Sequence, residues 1–271
     1  MTARCALAAM SFAAFFGTTF GQVESQKSKI ENSTVVSIAA ASDLVFCLEA
    51  LRAEFTKTEP GVTLTVVTGS SGNFFAQIKN GAPFDVFLSA DLRYPRELVA
   101  AGAADEKSLT LYAIGRLVLW TKRADLDPAD PAAVVRNPLV QKFAIANPAH
   151  APYGRAAQQA LEKLGVWADA QPKLVLGENI AQAAQFVQTG NADAGVVALS
   201  LVLAPTLRDS GRWVEIPAAL HEPLEQGAVL TTRGTANPAA IRYLAFLRSP
   251  GAREIFDRFG FRLPPANLSP P

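Results

Sequence analysis

Ala39-Ala40-Ala41-Ser42-Asp43 and Thr68-Gly69-Ser70-Ser71-Gly72-Asn73 are two junctions that carry most of the information in this chain. Each follows a run with strand character, Val35 to Ala39 and Val62 to Val67. Each opens a run with helix character, Asp43 to Lys57 and Asn73 to Lys79. The first turn of a helix leaves backbone N–H groups unpaired and concentrates partial positive charge. Two such starts aimed at one point make an anion site that needs no lysine or arginine.

Working outward, the alternation continues. Asp85 to Leu88 reads as a strand after the stop Asn80-Gly81. A second series follows: strands at Arg116 to Trp120 and Lys142 to Ala146, a helix from Tyr153 to Leu164, a strand at Lys173 to Leu176, a helix from Ile180 to Gln188 and a strand at Ala194 to Ala198. Short apolar runs alternating with amphipathic ones predict α/β architecture built of parallel βαβ units. Such sheets gather ligands at the carboxyl ends of their strands. The junctions at Tyr153 and Ile180 repeat the geometry of the two serine junctions. Trp213 to Ile216 and Gly227 to Thr231 read as strands, and Glu222 to Gly227 as a connection. The helices Pro238 to Leu247 and Ala252 to Phe259 are expected to return to the first lobe. The chain then divides into lobe 1, residues 34–113 plus 226–271, and lobe 2, residues 114–225, with crossings near Tyr112 to Gly115 and Pro223 to Ala228. The proline-rich tail from Pro264 to Pro271 reads as loose.

Ahead of these lobes, Met1-Thr2-Ala3-Arg4 gives a positive lead and Cys5 to Phe20 carries no charge. This predicts a secretory signal over residues 1–21, cut after Gly21, and a polar tether over 22–33. The apolar run is shorter than the ~20 residues of a membrane span, which argues against a retained anchor. The whole chain has 25 basic and 24 acidic residues with no basic stripe, so nucleic acid is not an expected partner. Removing Arg4 leaves a neutral protein whose remaining cysteine, Cys47, has no disulfide partner. Cys47 falls in the apolar stripe Leu44, Cys47, Leu48, Leu51, Phe55 and reads as packing.

Enzyme signatures are thin. There is no Gly-x-Ser-x-Gly elbow and no phosphate loop ending in Gly-Lys-Ser/Thr. His150 and His221 are the only histidines, each near proline, and both read as surface residues. One mature cysteine gives no raw material for a His/Cys metal cluster. Asp85 and Asp91 have structural explanations at a strand start and a helix start. Ser42 reads as a possible N-cap for the helix at Asp43.

The chain resembles the periplasmic molybdate-binding proteins of ABC transporters, the ModA type. The matching stretches are Ala39 to Leu44, Gly69-Ser70-Ser71-Gly72 with Gln77-Ile78, Asn80 to Asp91, Ala146 to Ala157 and Gly195 to Ser200. The resemblance implies a type II periplasmic-binding-protein fold, with two α/β lobes closing over one tetrahedral dianion, molybdate or tungstate. Carried over by position, Ser42 and Ser71 would each give a hydroxyl and a backbone N–H. Tyr153 would line the pocket, Ile180 would offer a backbone N–H, and Ala90 would form wall. Some members of the family carry a tyrosine where this chain has Ala198, and Tyr153 is the residue that would replace its hydroxyl. The resemblance also implies a monomeric periplasmic carrier that serves the membrane permease of an ABC importer. It implies no cofactor, no metal held by side chains and no catalysis.

Molybdate carries no proton at neutral pH, so a ring of donors alone can satisfy its oxygens. Monohydrogen phosphate would leave its hydroxyl unpaired against such a ring, at about 1–3 kcal/mol. Sulfate would have to be rejected on size. Other anions remain alternatives: sulfate, thiosulfate, or a small carboxylate held by Arg155. So does a serine-dependent enzyme on the same scaffold, which would need a histidine or acid beside Ser42 or Ser71.

Overall fold

Side-chain alternation builds the first sheet and both layers around it. The computed structural model describes residues 34–265; the expected signal (1–21) and tether (22–33) lie outside the described residues. The sheet has the order β2-β1-β3-β10-β4, from β1 (Thr34–Ala41), β2 (Val62–Gly69), β3 (Val86–Ser89), β4 (Thr110–Gly115) and β10 (Leu224–Leu230). Along β1, β3 and β10 successive side chains go to opposite faces. Val36, Ile38, Ala40, Val86, Leu88, Ala228 and Leu230 pack with the helices Cys47–Thr58, Pro238–Phe246 and Pro250–Arg258. Ala39, Phe87 and Val229 pack with Ser71–Lys79 and Arg93–Ala100 on the other side. The last two helices thus pack on the first sheet, the lobe to which they are expected to return.

The second sheet has the order β7-β6-β8-β5-β9, from β5 (Leu117–Thr121), β6 (Phe143–Ala146), β7 (Leu174–Gly177), β8 (Ala194–Ala198) and β9 (Arg212–Glu215). β5, β6 and β8 are fully buried, which suits strands covered on both faces. The sheets are not purely parallel, as the βαβ reading predicts. β10 runs antiparallel to β3 and β4, and β5 runs antiparallel to β8 and β9. The parallel pairs are β1 with β3, and β6 with β7 and β8.

The expected crossings are themselves strand. Leu224, Glu225 and Gln226 pair with Gly115, Ile114 and Ala113, so residues 114–115 and 224–225 belong to the first sheet. One residue, Arg116, separates β4 from β5. Its guanidinium donates to Glu215, which also accepts from Arg262 at 2.9 Å. The Arg116 hydrogen bonds hold the Glu215 carboxyl below its ordinary range.

Helix starts differ in detail too. Residues 42–44 form a 3-10 turn, and the α-helix begins only at Cys47. The second helix starts at Ser71 rather than Asn73. The helix beside Asp91 spans Arg93–Ala100, while helices at Pro131–Arg136 and Trp167–Ala170, and strand β4, are additional to the sequence reading. Cys47 is fully buried, and burial pushes its thiol well up.

Candidate functional site

Four strand ends converge on one small cavity. β1 leads to Ser42, β2 to Ser70 and Ser71, β6 through a loop to Tyr153, and β7 through Asn179 to Ile180; all of these line it. The free space is about 10 Å³, the order of one water-sized sphere and far below the roughly 300 Å³ at which metabolite pockets begin. The structure thus brings together all four residues singled out by sequence, and each is buried. Ala90 lies in the wall as expected. Among the described residues the lining contains no lysine or arginine. No cluster of metal-ligating side chains occurs among them either.

The serines are oriented by backbone. Ser71 Oγ accepts from the Ala90 N–H at 3.0 Å. Ser42 Oγ accepts from the Ala181 N–H, in the helix Ile180–Gln188 that follows β7, at 3.3 Å, sharing that donor with Asn179 Oδ1. A hydroxyl whose oxygen accepts in this way keeps its proton for donation elsewhere. Ser42 is therefore not an N-cap: the turn it opens has Ala41 at the cap position and no side-chain cap. Asn179 caps Ile180–Gln188 by accepting from Ala181 and Gln182, a pairing that does not include the Ile180 N–H. That N–H belongs to the first turn, where helices leave donors free.

Tyr153 is placed differently from the serines. Its hydroxyl donates to Asp43 Oδ2 at 3.1 Å, and Gln226 Nε2 donates to the same oxygen at 2.6 Å. Gln226 in turn accepts from Tyr112 at 2.9 Å. All four side chains are buried. Gly115 makes the arrangement fit: a Cβ there would lie 2.2 Å from the Tyr153 hydroxyl. Asp43 also lines the cavity, and its Oδ1 is buried without a hydrogen-bond partner. Burial pushes the Asp43 carboxyl up to about 6, against the lowering effect of its bonds from Gln226 and Tyr153. Burial likewise raises the Tyr153 and Tyr112 phenols well above their ordinary range.

A wall made only of donors is thus not what the chain builds, because Asp43 adds a carboxyl. Sequence reasoning missed it because Asp43 reads as an acidic residue in a helix's first turn. Only the tertiary fold buries it against Gln226, a residue 183 positions away.

Further contacts cross the cleft around the cavity. The Gly72 N–H donates to the His150 carbonyl at 2.9 Å, and a Cβ at Gly72 would lie 2.5 Å from that oxygen. Ser70 Oγ meets the same carbonyl at 2.7 Å and His150 Nδ1 at 2.9 Å. His150 is therefore a cleft contact rather than a plain surface residue, and it touches neither Ser42 nor Ser71. His221 is also buried, its Nδ1 2.7 Å from the Glu222 carbonyl. Arg155 does not line the cavity. It pairs with Asp91 across the cleft and lies over the Tyr94 ring, which removes the cation a carboxylate carrier would use. Asp85 is structural, accepting from the Ser37 N–H at 2.8 Å and pairing with Arg233.

Comparison with known proteins fits this geometry. Residues 36–262 match the family model for bacterial extracellular solute-binding protein. The molybdate-binding protein ModA of Azotobacter vinelandii is 40% identical over 228 residues, covering 84% of this chain and 90% of the relative. That of Rhodobacter capsulatus is 42% identical over 229 residues, covering 83% and 87%. The solved periplasmic molybdate-binding protein of A. vinelandii superposes with a TM-score of 0.79 at 34% identity, over 84% of this chain and 99% of that one. The chain belongs to the bacterial extracellular solute-binding proteins, in their ModA group.

Proposed function

We propose that this protein captures molybdate or tungstate as the dianion between its two lobes and delivers it to the membrane permease of an ABC importer. The Ser42 and Ser71 hydroxyls and the Ile180 N–H meet the oxyanion's oxygens, while Tyr153 shapes the wall and positions Asp43. No side chain touches the metal itself, no cofactor is used and no chemical step occurs. The observation that carries this reading is the convergence of four strand ends on a cavity of single-ion size without a cation. Closure excludes water and strengthens the contacts between charge and dipole. The contacts of Gly72 and Ser70 with His150 support a closed form that a permease can recognise.

Export by residues 1–21, a tether over 22–33 and a monomeric carrier in the periplasm complete the proposal. Lobe 1 is then residues 34–115 plus 224–265 and lobe 2 residues 116–223, two residues from the expected boundary at each crossing, a division supported by the pairing of β4 with β10.

Calorimetric titration of the mature protein with molybdate, sulfate and phosphate tests the reading. Molybdate is expected to bind most tightly, with sulfate weaker because its shorter bonds stretch several hydrogen bonds at once. Tight sulfate binding without a response to molybdate would overturn the substrate assignment and spare the fold.

A further inference from the structure

We propose that Asp43 is a proton-carrying binding group of this site, so that capture of a fully deprotonated oxyanion takes up one proton from solvent. The inference rests on the oxyanion-binding reading above and adds to it the ionisation of one residue. Asp43 lines the cavity, and its two carboxyl oxygens are not equivalent. Oδ2 accepts from Gln226 Nε2 and from the Tyr153 hydroxyl. Oδ1 is buried and has no partner. A proton on Oδ2 would compete with two donors already aimed at it. On Oδ1 it leaves both bonds intact and turns the unpaired oxygen into a donor.

The groups facing the carboxyl cannot neutralise it in any other way. Tyr153, Gln226 and Tyr112 face it from three different segments, and Ser200 Oγ donates to the Asp43 backbone carbonyl at 2.8 Å. Cys47 acts from the following helix, with its thiol held neutral by burial, and Arg258 acts on Cys47 rather than on Asp43. Arg155, at the cleft, is paired with Asp91. An ionised Asp43 would therefore confront a dianion with an uncompensated negative charge inside a closed, desolvated space. Neutral Asp43 donates to the ion instead. The balance is Asp43 carboxylate plus one proton plus molybdate giving Asp43 carboxylic acid with bound molybdate. The rise of the apo carboxyl to about 6 through burial sets where this coupling begins.

The same oxygen bears on selectivity. Ionised Oδ1 can accept the hydroxyl of monohydrogen phosphate, the species a wall made only of donors would reject. Asp43 thus leaves an opening for a protonated oxyanion as pH rises. Asp43→Asn closes it: the Asn carbonyl takes the two donors and its amide N–H faces the ion at every pH.

Calorimetry of the exported chain with sodium molybdate at pH 8, in buffers of different ionisation enthalpy, counts the protons directly. The expected uptake is about one proton per molybdate, with Kd rising about tenfold per pH unit between pH 7 and 9. In Asp43→Asn the uptake should vanish and the Kd profile flatten, whatever its absolute level. Phosphate binding should weaken in the variant at pH 8. Tight molybdate binding to the unaltered chain with no proton uptake would overturn the proposal and leave the site assignment standing. A slope retained in Asp43→Asn would overturn it too and assign the proton to another group. No molybdate binding at either pH 6 or pH 8 would overturn the site assignment and this proposal together. The count on the unaltered chain does not depend on the variant folding.

Discussion

The two walls of the cavity are built on different principles. On one side Ser42 and Ser71 stand at helix starts, each hydroxyl steered by a backbone N–H. On the other side Asp43 and Tyr153 line the cavity and begin a buried chain that runs behind it through Gln226 to Tyr112, drawn from four separate segments. The serine wall keeps its protons at any physiological pH. The Asp43 wall holds a group whose charge depends on pH. A neutral site for a dianion is therefore fixed on one side and conditional on the other.

The largest expected effect separates the walls through stability. The Asp43 carboxyl lies at about 6 in the folded protein against an ordinary 3.8, so the native state holds its proton more tightly than the unfolded chain. That contribution is fully present below pH 3.8 and lost as pH rises through 6. It amounts to about 3 kcal/mol, at 1.36 kcal/mol per pKa unit. Urea unfolding of the apo protein and of Asp43→Asn should show the difference between them shifting by about 2 kcal/mol from pH 4 to pH 7, most of that amount. A constant difference would mean that the carboxyl is not desolvated.

On the serine wall, Ser71→Ala and Ser42→Ala should each weaken molybdate binding by about 10- to 100-fold, the loss of one hydrogen bond to a charged group. Ser71→Ala also strands the Ala90 N–H, costing about 1 kcal/mol of apo stability, which a thermal melt would register as a small drop. Unchanged affinity in either variant would remove that serine from the site. Gly115→Ala probes the seam between the walls. Its Cβ would press on the Tyr153 hydroxyl and on Gln226 Nε2, 3.0 Å away, costing about 1–3 kcal/mol by overpacking. Asn73→Ala, which removes the exposed contact with Glu178 at the cleft rim, should change affinity by less than about fivefold, the scale of surface polar pairs.

The same division explains what the sequence revealed. Apolar runs, glycine stops and serines at strand ends are local patterns, so the strand ends at Ser42, Ser71, Tyr153 and Ile180 could be read directly. Their meeting around one cavity follows from α/β architecture, in which strand carboxyl ends share an edge. The antiparallel strands β5 and β10 were not legible as such, because an apolar run carries no direction. β4 went unread because it lies where a crossing was expected. The Asp43 network was hidden for a further reason: its partners lie 110 and 183 positions away, and nothing in the run Ser42-Asp43-Leu44 marks the aspartate as buried.

Anomalous scattering from crystals of the mature protein grown with molybdate locates the metal without reference to any assumed site. The account predicts one strong peak in the cavity, with oxygens in hydrogen-bond reach of Ser42, Ser71 and the Ile180 N–H. A peak against a lysine or arginine elsewhere on the chain, with the cavity empty, would contradict it.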